Sequence, residues 1–377
     1  MLIGVAILVV LALVGTVGGW FYVNSVLSSI KRVQVTSVTP ETSGAPIDIL
    51  LVGSDSRAFV DTSGQAASFG NPATQTGQRS DVIIVVRLVP KTRQIEMLSI
   101  PRDTYVPIPG TGGSNRINAA FNNGPGLLVQ TIQENFGIPV NHVVMADFPG
   151  FQGMVNALGG ISLDFPYPVR DPYSGLDVTT VGCQNLDGAT ALALVRSRHL
   201  YYFKDGVWNY DGMSDWSRIQ RQQAFFHALI DKANSEFPNL LAINSFLQAT
   251  ADDLQTDESF GAREMISLAL SFRGVASASL ATEVLPTFSE QIDGNDVLIA
   301  AQPYASQMIS SFLKIGSPSA STGSKASGTT TTQSGTKATQ SGTTTPAPSA
   351  TTPIAPANQV VFDNPKDLPE PWNPKPC

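Results

Sequence analysis

The chain has 377 residues, of which 14% are charged, against about 25% in an average soluble protein, and it is rich in glycine (32) and proline (26). Two cysteines exclude a disulfide-built miniprotein, and an apolar content of 42% excludes a wholly disordered chain. A net charge of −7 with no basic block argues against a nucleic-acid binder, and three histidines argue against a multi-histidine metal centre.

Residues 1–30 carry no charged side chain, and Leu2 to Val23 is an almost unbroken apolar run containing Trp20, Phe21 and Tyr22 near its end. About 22 residues at 1.5 Å each give about 33 Å, enough to cross a hydrocarbon core of about 30 Å, with the aromatic trio at an interface. The other reading is a cleaved signal peptide, but the run exceeds a typical h-region of about 7–15 residues. Lys31 and Arg32 follow the run and nothing basic precedes it, so the positive-inside rule taken literally places the body in the cytoplasm. The low-complexity tail described below favours the opposite side. The expectation is one transmembrane helix (1–30) in the cell membrane, a stalk (31–46) and an extracytoplasmic body (47–315).

Within the body, Val- and Ile-rich runs predict strands at Ile47–Gly53, Asp81–Leu88, Gln94–Ile100 and His142–Phe148. Helical spacing predicts helices at Leu127–Phe136, Phe151–Leu158, Gly188–Val195, Ser217–Ala233, Glu258–Phe272 and Pro303–Leu313. Strands interleaved with helices imply an α/β three-layer sandwich with a central mixed sheet flanked by helices. Residues 316–358 are dominated by Ser, Thr, Gly, Ala and Pro, with two lysines and no aromatic, which reads as a disordered linker. Residues 359–377 regain Val361, Phe362, Leu368 and Trp372 and read as a terminal peptide that docks on the body. In an oxidising compartment Cys183 and Cys377 are expected to pair. The alternative is a core Cys183 and a Cys377 that stays free or pairs between chains.

Five Arg/Asp clusters stand out in this charge-poor chain: Gly53-Ser54-Asp55-Ser56-Arg57, Arg79-Ser80-Asp81, Pro101-Arg102-Asp103, Arg196-Ser197-Arg198, and Asp215 to Gln222 with Arg218 and Arg221. Several border a predicted strand, and strand ends converge on one edge of an α/β sheet, where such folds bind ligands. Grouped guanidinium groups repel one another unless an anion joins them, and their forks grip phosphate bidentately. Two aspartates among them suit a divalent cation with hard oxygen ligands, Mg²⁺ first. Ser217 and Gln220 read as a capping box that starts a helix at Ser217, with Arg218, Arg221 and Gln222 on its first turns. Each charge also has a plain reading as a turn, cap or surface ion pair, and His142 and His227 read as packing or surface residues. The chemistry implied is a Mg²⁺-assisted phosphate or pyrophosphate site.

At these clusters the sequence resembles the LytR-CpsA-Psr (LCP) family of cell-wall phosphotransferases. The resemblance rests on Asp48–Arg57, Arg79-Ser80-Asp81, Leu98–Asp103, Arg116–Phe121, Val144–Phe151 with Leu158–Ile161, Leu186-Asp187-Gly188, Val195–Arg198 and Ser217–Gln223, in order from about 47 to 235. It implies an enzyme that moves a glycan phosphate from a polyprenyl-pyrophosphate-linked glycan donor to a peptidoglycan acceptor. It implies Asp55 and Asp81 as ligands of Mg²⁺, with Mn²⁺ the other candidate. Arg79, Arg102, Arg196, Arg198 and Arg218 would grip the pyrophosphate with Gln222 beside them and Arg57 and Arg221 in support; Arg102, Asp103 and Arg198 are the candidate catalytic residues, with Asp103 or a metal-bound aspartate as proton acceptor. An apolar groove between sheet and helices would hold the lipid. The inserts at 58–78 and His199–Ser214 depart from the family pattern and flank the site. A lipid-pyrophosphate phosphatase and a non-enzymatic wall-glycan-binding protein are the alternatives.

Overall fold

A computed structural model describes residues 23–54, 80–236, 254–316 and 371–377. The apolar run up to Tyr22, the insert 58–78, the linker beyond Gly316, and Asp55, Arg57 and Arg79 lie outside the described residues. Among those described, no helix is long and apolar enough to cross a membrane.

In chain order the strands are β1 (Lys31–Val33), β2 (Ile47–Ser54), β3 (Ser80–Val89), β4 (Gln94–Ser99), β5 (Tyr105–Ile108), β6 (Gly113–Arg116), β7 (His142–Ala146), β8 (Ile161–Phe165), β9 (Val169–Asp171), β10 (Leu176–Val178), β11 (Gly182–Leu186), β12 (Tyr201–Lys204), β13 (Val207–Tyr210), β14 (Leu254–Asp257), β15 (Leu280–Val284), β16 (Thr287–Ile292), β17 (Asn295–Ala300) and β18 (Lys375–Pro376). Following the helical residues 23–28, the α-helices with both ends among the described residues are α1 (Pro125–Phe136), α2 (Phe148–Ala157), α3 (Gly188–Arg196), α4 (Asp215–Glu236), α5 (Ala262–Ser271) and α6 (Tyr304–Lys314).

The central sheet has the order β1-β14-β7-β2-β3-β4-β15 and mixes directions: β2 is parallel to β7 and antiparallel to β3, and β15 is parallel to β4. Period-two alternation along β2 sends Leu50 and Val52 to one face, where Leu128 and Ile132 of α1 and Phe312 of α6 cover them. Ile49 faces Phe260 and Leu268 on the other side, while Ile84 and Met97 meet Phe226 and Ile230 of α4. The sheet is thus sandwiched between helical layers. Buried Arg87 pairs with Asp48 at 2.6 Å and donates to the carbonyls of Leu313 and Ile315, fastening the end of α6 to the sheet. Burial pushes the Asp48 carboxyl up to about 6 against the pull of Arg87.

Three differences from the sequence reading have local causes. The strand expected over His142–Phe148 stops at Ala146 because Asp147 caps α2, its Oδ1 accepting from Gly150 N at 2.9 Å. The stretch 31–46, read as a stalk, supplies edge strand β1, which pairs with β14. The helix expected from Ser217 starts at Asp215, and the Ser217 hydroxyl is buried without a hydrogen-bond partner, so the capping box does not form. The terminal peptide does reach the body: β18 pairs with β8, and Cys377 is disulfide-bonded to Cys183.

α2 and α3 pack around a second core with β8 and Phe225 of α4. They approach closely at Gly188, where an added Cβ would collide with the Gln152 backbone. Gly188→Ala is therefore expected to destabilise the chain by about 2–3 kcal/mol, measurable as a lower urea midpoint with unchanged slope.

Candidate active site

The carboxyl ends of the parallel strands β2 and β7 and the end of β4 open on one edge of the sheet. After β4 the chain makes the turn Pro101-Arg102-Asp103, fixed by its backbone: Thr104 N and Oγ1 both donate to Pro101 O, and Leu298 N donates to Asp103 O at 2.9 Å. The turn leaves both charged side chains facing outward from the sheet end. Arg102 pairs closely with Asp81 at the start of β3. Its Nε lies 3.5 Å from Asp103 Oδ2, and Arg116 Nε lies 3.5 Å from Asp103 Oδ1.

From the other side come α3 and α4. Arg198 reaches Asp215 through Nε at 2.6 Å and Nη2 at 3.0 Å, and Arg218 Nη2 lies 3.2 Å from the same carboxylate. The segment carrying Arg198 is held by Asp171, which accepts from Ser197 Oγ at 2.7 Å, Arg198 N at 3.0 Å and His199 N at 2.9 Å. Burial alone would raise the Asp171 carboxyl, but these donors with the N–H groups of Tyr173 and Ser174 hold it below its ordinary value.

The result is a band of guanidinium groups interleaved with Asp81, Asp103 and Asp215. Burial draws the Arg218 guanidinium below its ordinary value, opposed by Asp215 and reinforced by Arg102 and Arg198. Burial also depresses Arg102, but Asp81, Asp103 and Asp215 outweigh it and leave it above its ordinary value. Arg218 Nε is buried with no hydrogen-bond partner among the described residues, while Arg102 Nε and Arg198 Nε meet the carboxylates of Asp103 at 3.5 Å and Asp215 at 2.6 Å. A bound anion with several oxygens would satisfy such donors.

Directly behind this band is a cavity of about 520 Å³. Its walls are Leu51, Val82 and Val144 of the sheet, Phe151 of α2, and Phe226 and Leu229 of α4, while Asp81, Arg102, Arg196, Arg198, Arg218 and Gln222 stand among its polar lining. An apolar chamber with a cationic rim suits an amphiphile with an anionic head.

Arg102, Asp103, Asp81, Arg198 and Arg218 therefore come together as the sequence suggested. Arg196 lines the chamber with its guanidinium 4.2 Å over the Phe148 ring, and Gln222 donates to Val195 O at 3.0 Å, tying α4 to α3. Arg221 is a correction. It is fully buried and turned away from the chamber, bonded to Asp211 at 3.2 Å, Asn373 at 2.8 Å and Ser197 O at 2.7 Å. Burial lowers it to about 10, so it stays charged at neutral pH and serves packing. Asp55, Arg57 and Arg79 lie outside the described residues. His142 is buried, stacked on Phe260 and bonded to Asp257 and Glu41, far from this edge at the opposite end of β7.

The family model LytR_cpsA_psr matches residues 22–313. The chain belongs to the LytR_cpsA_psr family. It is 33% identical over 310 residues to the probable cell wall biosynthesis protein LcpB of Corynebacterium glutamicum, covering 79% of this chain and 70% of that one. It is 35% identical over 187 residues to the polyisoprenyl-teichoic acid–peptidoglycan teichoic acid transferase TagV of Bacillus subtilis, covering 48% of this chain and 45% of TagV. Among solved structures, the LytR-Csp2A-Psr enzyme from Actinomyces oris superposes with a TM-score of 0.60 at 26% identity, over 75% of this chain and 95% of that one.

Asp171 and Asp211 were not found by sequence reasoning, and Arg116 stood within a matching stretch without a role assigned to it. The signal for Asp171 is slight, an Asp-Pro turn start at Asp171-Pro172. Asp171→Ala leaves several N–H donors unmet and is expected to cost about 3 kcal/mol at pH 7. Because the folded carboxyl titrates below its ordinary 3.8, this stabilisation is full above that value and fades as pH falls through the folded one. Denaturant melts of both proteins should show the gap narrowing below pH 4, as the carboxylate takes up its proton.

Proposed function

We propose that this chain transfers a glycan phosphate from a polyprenyl-pyrophosphate carrier to a peptidoglycan hydroxyl in cell-wall assembly. The observation that carries the reading is the apolar chamber rimmed by the guanidinium groups of Arg102, Arg198 and Arg218, with the buried Arg218 Nε unpartnered among the described residues. The family membership and the names of LcpB and TagV support it.

On this reading the polyprenyl chain lies between α2, α4 and the sheet, and the pyrophosphate sits against Arg102, Arg198 and Arg218. The acceptor hydroxyl attacks the phosphorus that carries the glycan. A new O–P bond forms while the bond to the bridging oxygen breaks, and polyprenyl phosphate departs with the electron pair. The arginines are fixed in advance where negative charge gathers on the phosphate and bridging oxygens. Asp103, loosely placed between Arg102 and Arg116, takes the hydroxyl proton.

Asp81 stands in the chamber lining with Oδ1 on Arg102, leaving Oδ2 as a hard oxygen donor. A carboxylate beside phosphate oxygens is the donor set that Mg²⁺ or Mn²⁺ takes, with Asp55 the expected second ligand. Such an ion would add charge neutralisation at the pyrophosphate. The body acts outside the cell membrane, anchored by the apolar run 2–23. The Cys183–Cys377 disulfide supports this placement, since such bonds persist in oxidising compartments.

Arg198 is partly exposed at the rim, so Arg198→Ala should fold normally. It should lower release of polyprenyl phosphate from a lipid-pyrophosphate glycan by about a hundredfold or more, followed by chromatography of the lipid product. Wild-type turnover in this variant would refute the site. Equal release with and without peptidoglycan acceptor would instead mark a hydrolase.

A further inference from the structure

The lipid chamber is one of two concavities that meet at the charged band. The second, of about 210 Å³, lies between the Pro101–Asp103 turn, the start of α4 and the hairpin β16–β17. The two have no lining residue in common and lie on either side of the ion pairs of the band. Arg102, Arg198 and Arg218 line the chamber, whereas their paired carboxylates Asp103 and Asp215 line the second pocket.

This arrangement has a direct consequence for in-line displacement. The attacking oxygen must approach phosphorus from the side opposite the leaving group. With the polyprenyl phosphate leaving into the apolar chamber, an acceptor seated in the second pocket would approach from the other side of the charged band. Its lining suits a sugar: Trp216 offers an indole for the apolar C–H face of a pyranose, and Asp103, Asp215, Ser289 and Asp296 offer acceptors and a hydroxyl for the ring's O–H groups. The volume suits one sugar ring rather than an oligosaccharide.

The pocket is also preformed. Arg116 Nη2 donates to Asp296 O at 2.8 Å, Leu298 N donates to Asp103 O at 2.9 Å, and Thr104 bridges to Leu298, so the hairpin is tied to the turn that bears Arg102 and Asp103. Asp103 has its cationic neighbours at 3.5 Å, longer than a direct hydrogen bond, which leaves its oxygens available to a new donor.

We propose that this pocket is the acceptor subsite, resting on the transfer reading above. One sugar of the peptidoglycan glycan packs on Trp216 and directs its hydroxyl at the phosphorus. The hydroxyl proton passes to Asp103 as the O–P bond forms and the bridging P–O bond breaks toward the chamber. The β16–β17 hairpin sets acceptor choice.

Steady-state transfer is measured with a polyprenyl-pyrophosphate glycan as donor and a soluble peptidoglycan strand as acceptor, varying each in turn. Ser289→Trp fills the pocket from an exposed position on the hairpin, and Trp216→Ala removes its platform. Both should raise the acceptor KM about tenfold or more while the donor KM stays within about twofold. Thermal melts report the fold, and if Trp216→Ala melts early, Ser289→Trp decides. A rise in donor KM with acceptor KM unchanged overturns the proposal in favour of a donor-sugar site, and no change in either overturns it outright. Failure of the unaltered chain to transfer at all overturns the transfer reading itself and is seen before any variant is compared.

Discussion

Positive charge held out of bulk water is the constraint around which this structure is arranged. Arg218 is almost wholly buried, and Arg102 and Arg198 stand close by, with Asp81, Asp103 and Asp215 threaded between them. Desolvating such groups is costly unless each is paired and hydrogen-bonded, and here the buried Arg218 Nε keeps no partner among the described residues. A site with that residual demand is organised for an incoming polyanion.

The fold supplies the rest without special devices. A mixed sheet brings the ends of β2, β4 and β7 to one edge, and the first turn of α4 meets them from the helical layer. The same helix presents Phe226 and Leu229 to the chamber, so one element joins the ionic rim to the apolar interior. Asp171 then fixes the backbone from Ser197 to His199 through several donors, setting where Arg198 points. Rigid carriage of a charged group matters because reorganising it during the reaction would raise the barrier.

Much of this was legible in the sequence, because strand-end charges in a charge-poor chain have few places to go. The convergence of Arg102, Asp81, Arg198 and Arg218 followed from their positions beside predicted elements. The chamber's lining did not, since Leu51, Phe151 and Phe226 look like ordinary core residues in one dimension. Arg221 was misassigned because spacing of three along a helix cannot tell a groove-facing arginine from one turned toward Asp211 and Asn373, a partner 152 residues away. The helix start was misplaced because Ser217 matches a capping pattern, yet the chain enters α4 through Ser214, whose φ is 48°, and the helix begins two residues sooner. Edge strand β1 is only three residues long and follows an apolar run, so its pairing with β14 carried no local signal. The join between Cys183 and Cys377 was accessible from compartment chemistry alone.

The central claim is that one site receives a lipid pyrophosphate, head on the arginines and tail in the chamber. An electron-density map of the protein crystallised with a polyprenyl pyrophosphate and Mg²⁺ tests it most directly. The account predicts phosphate oxygens within hydrogen-bond distance of Arg102, Arg198 and Arg218, with isoprenoid density running between Phe151 and Phe226. Pyrophosphate bound elsewhere, or a tail lying outside the chamber, would contradict it.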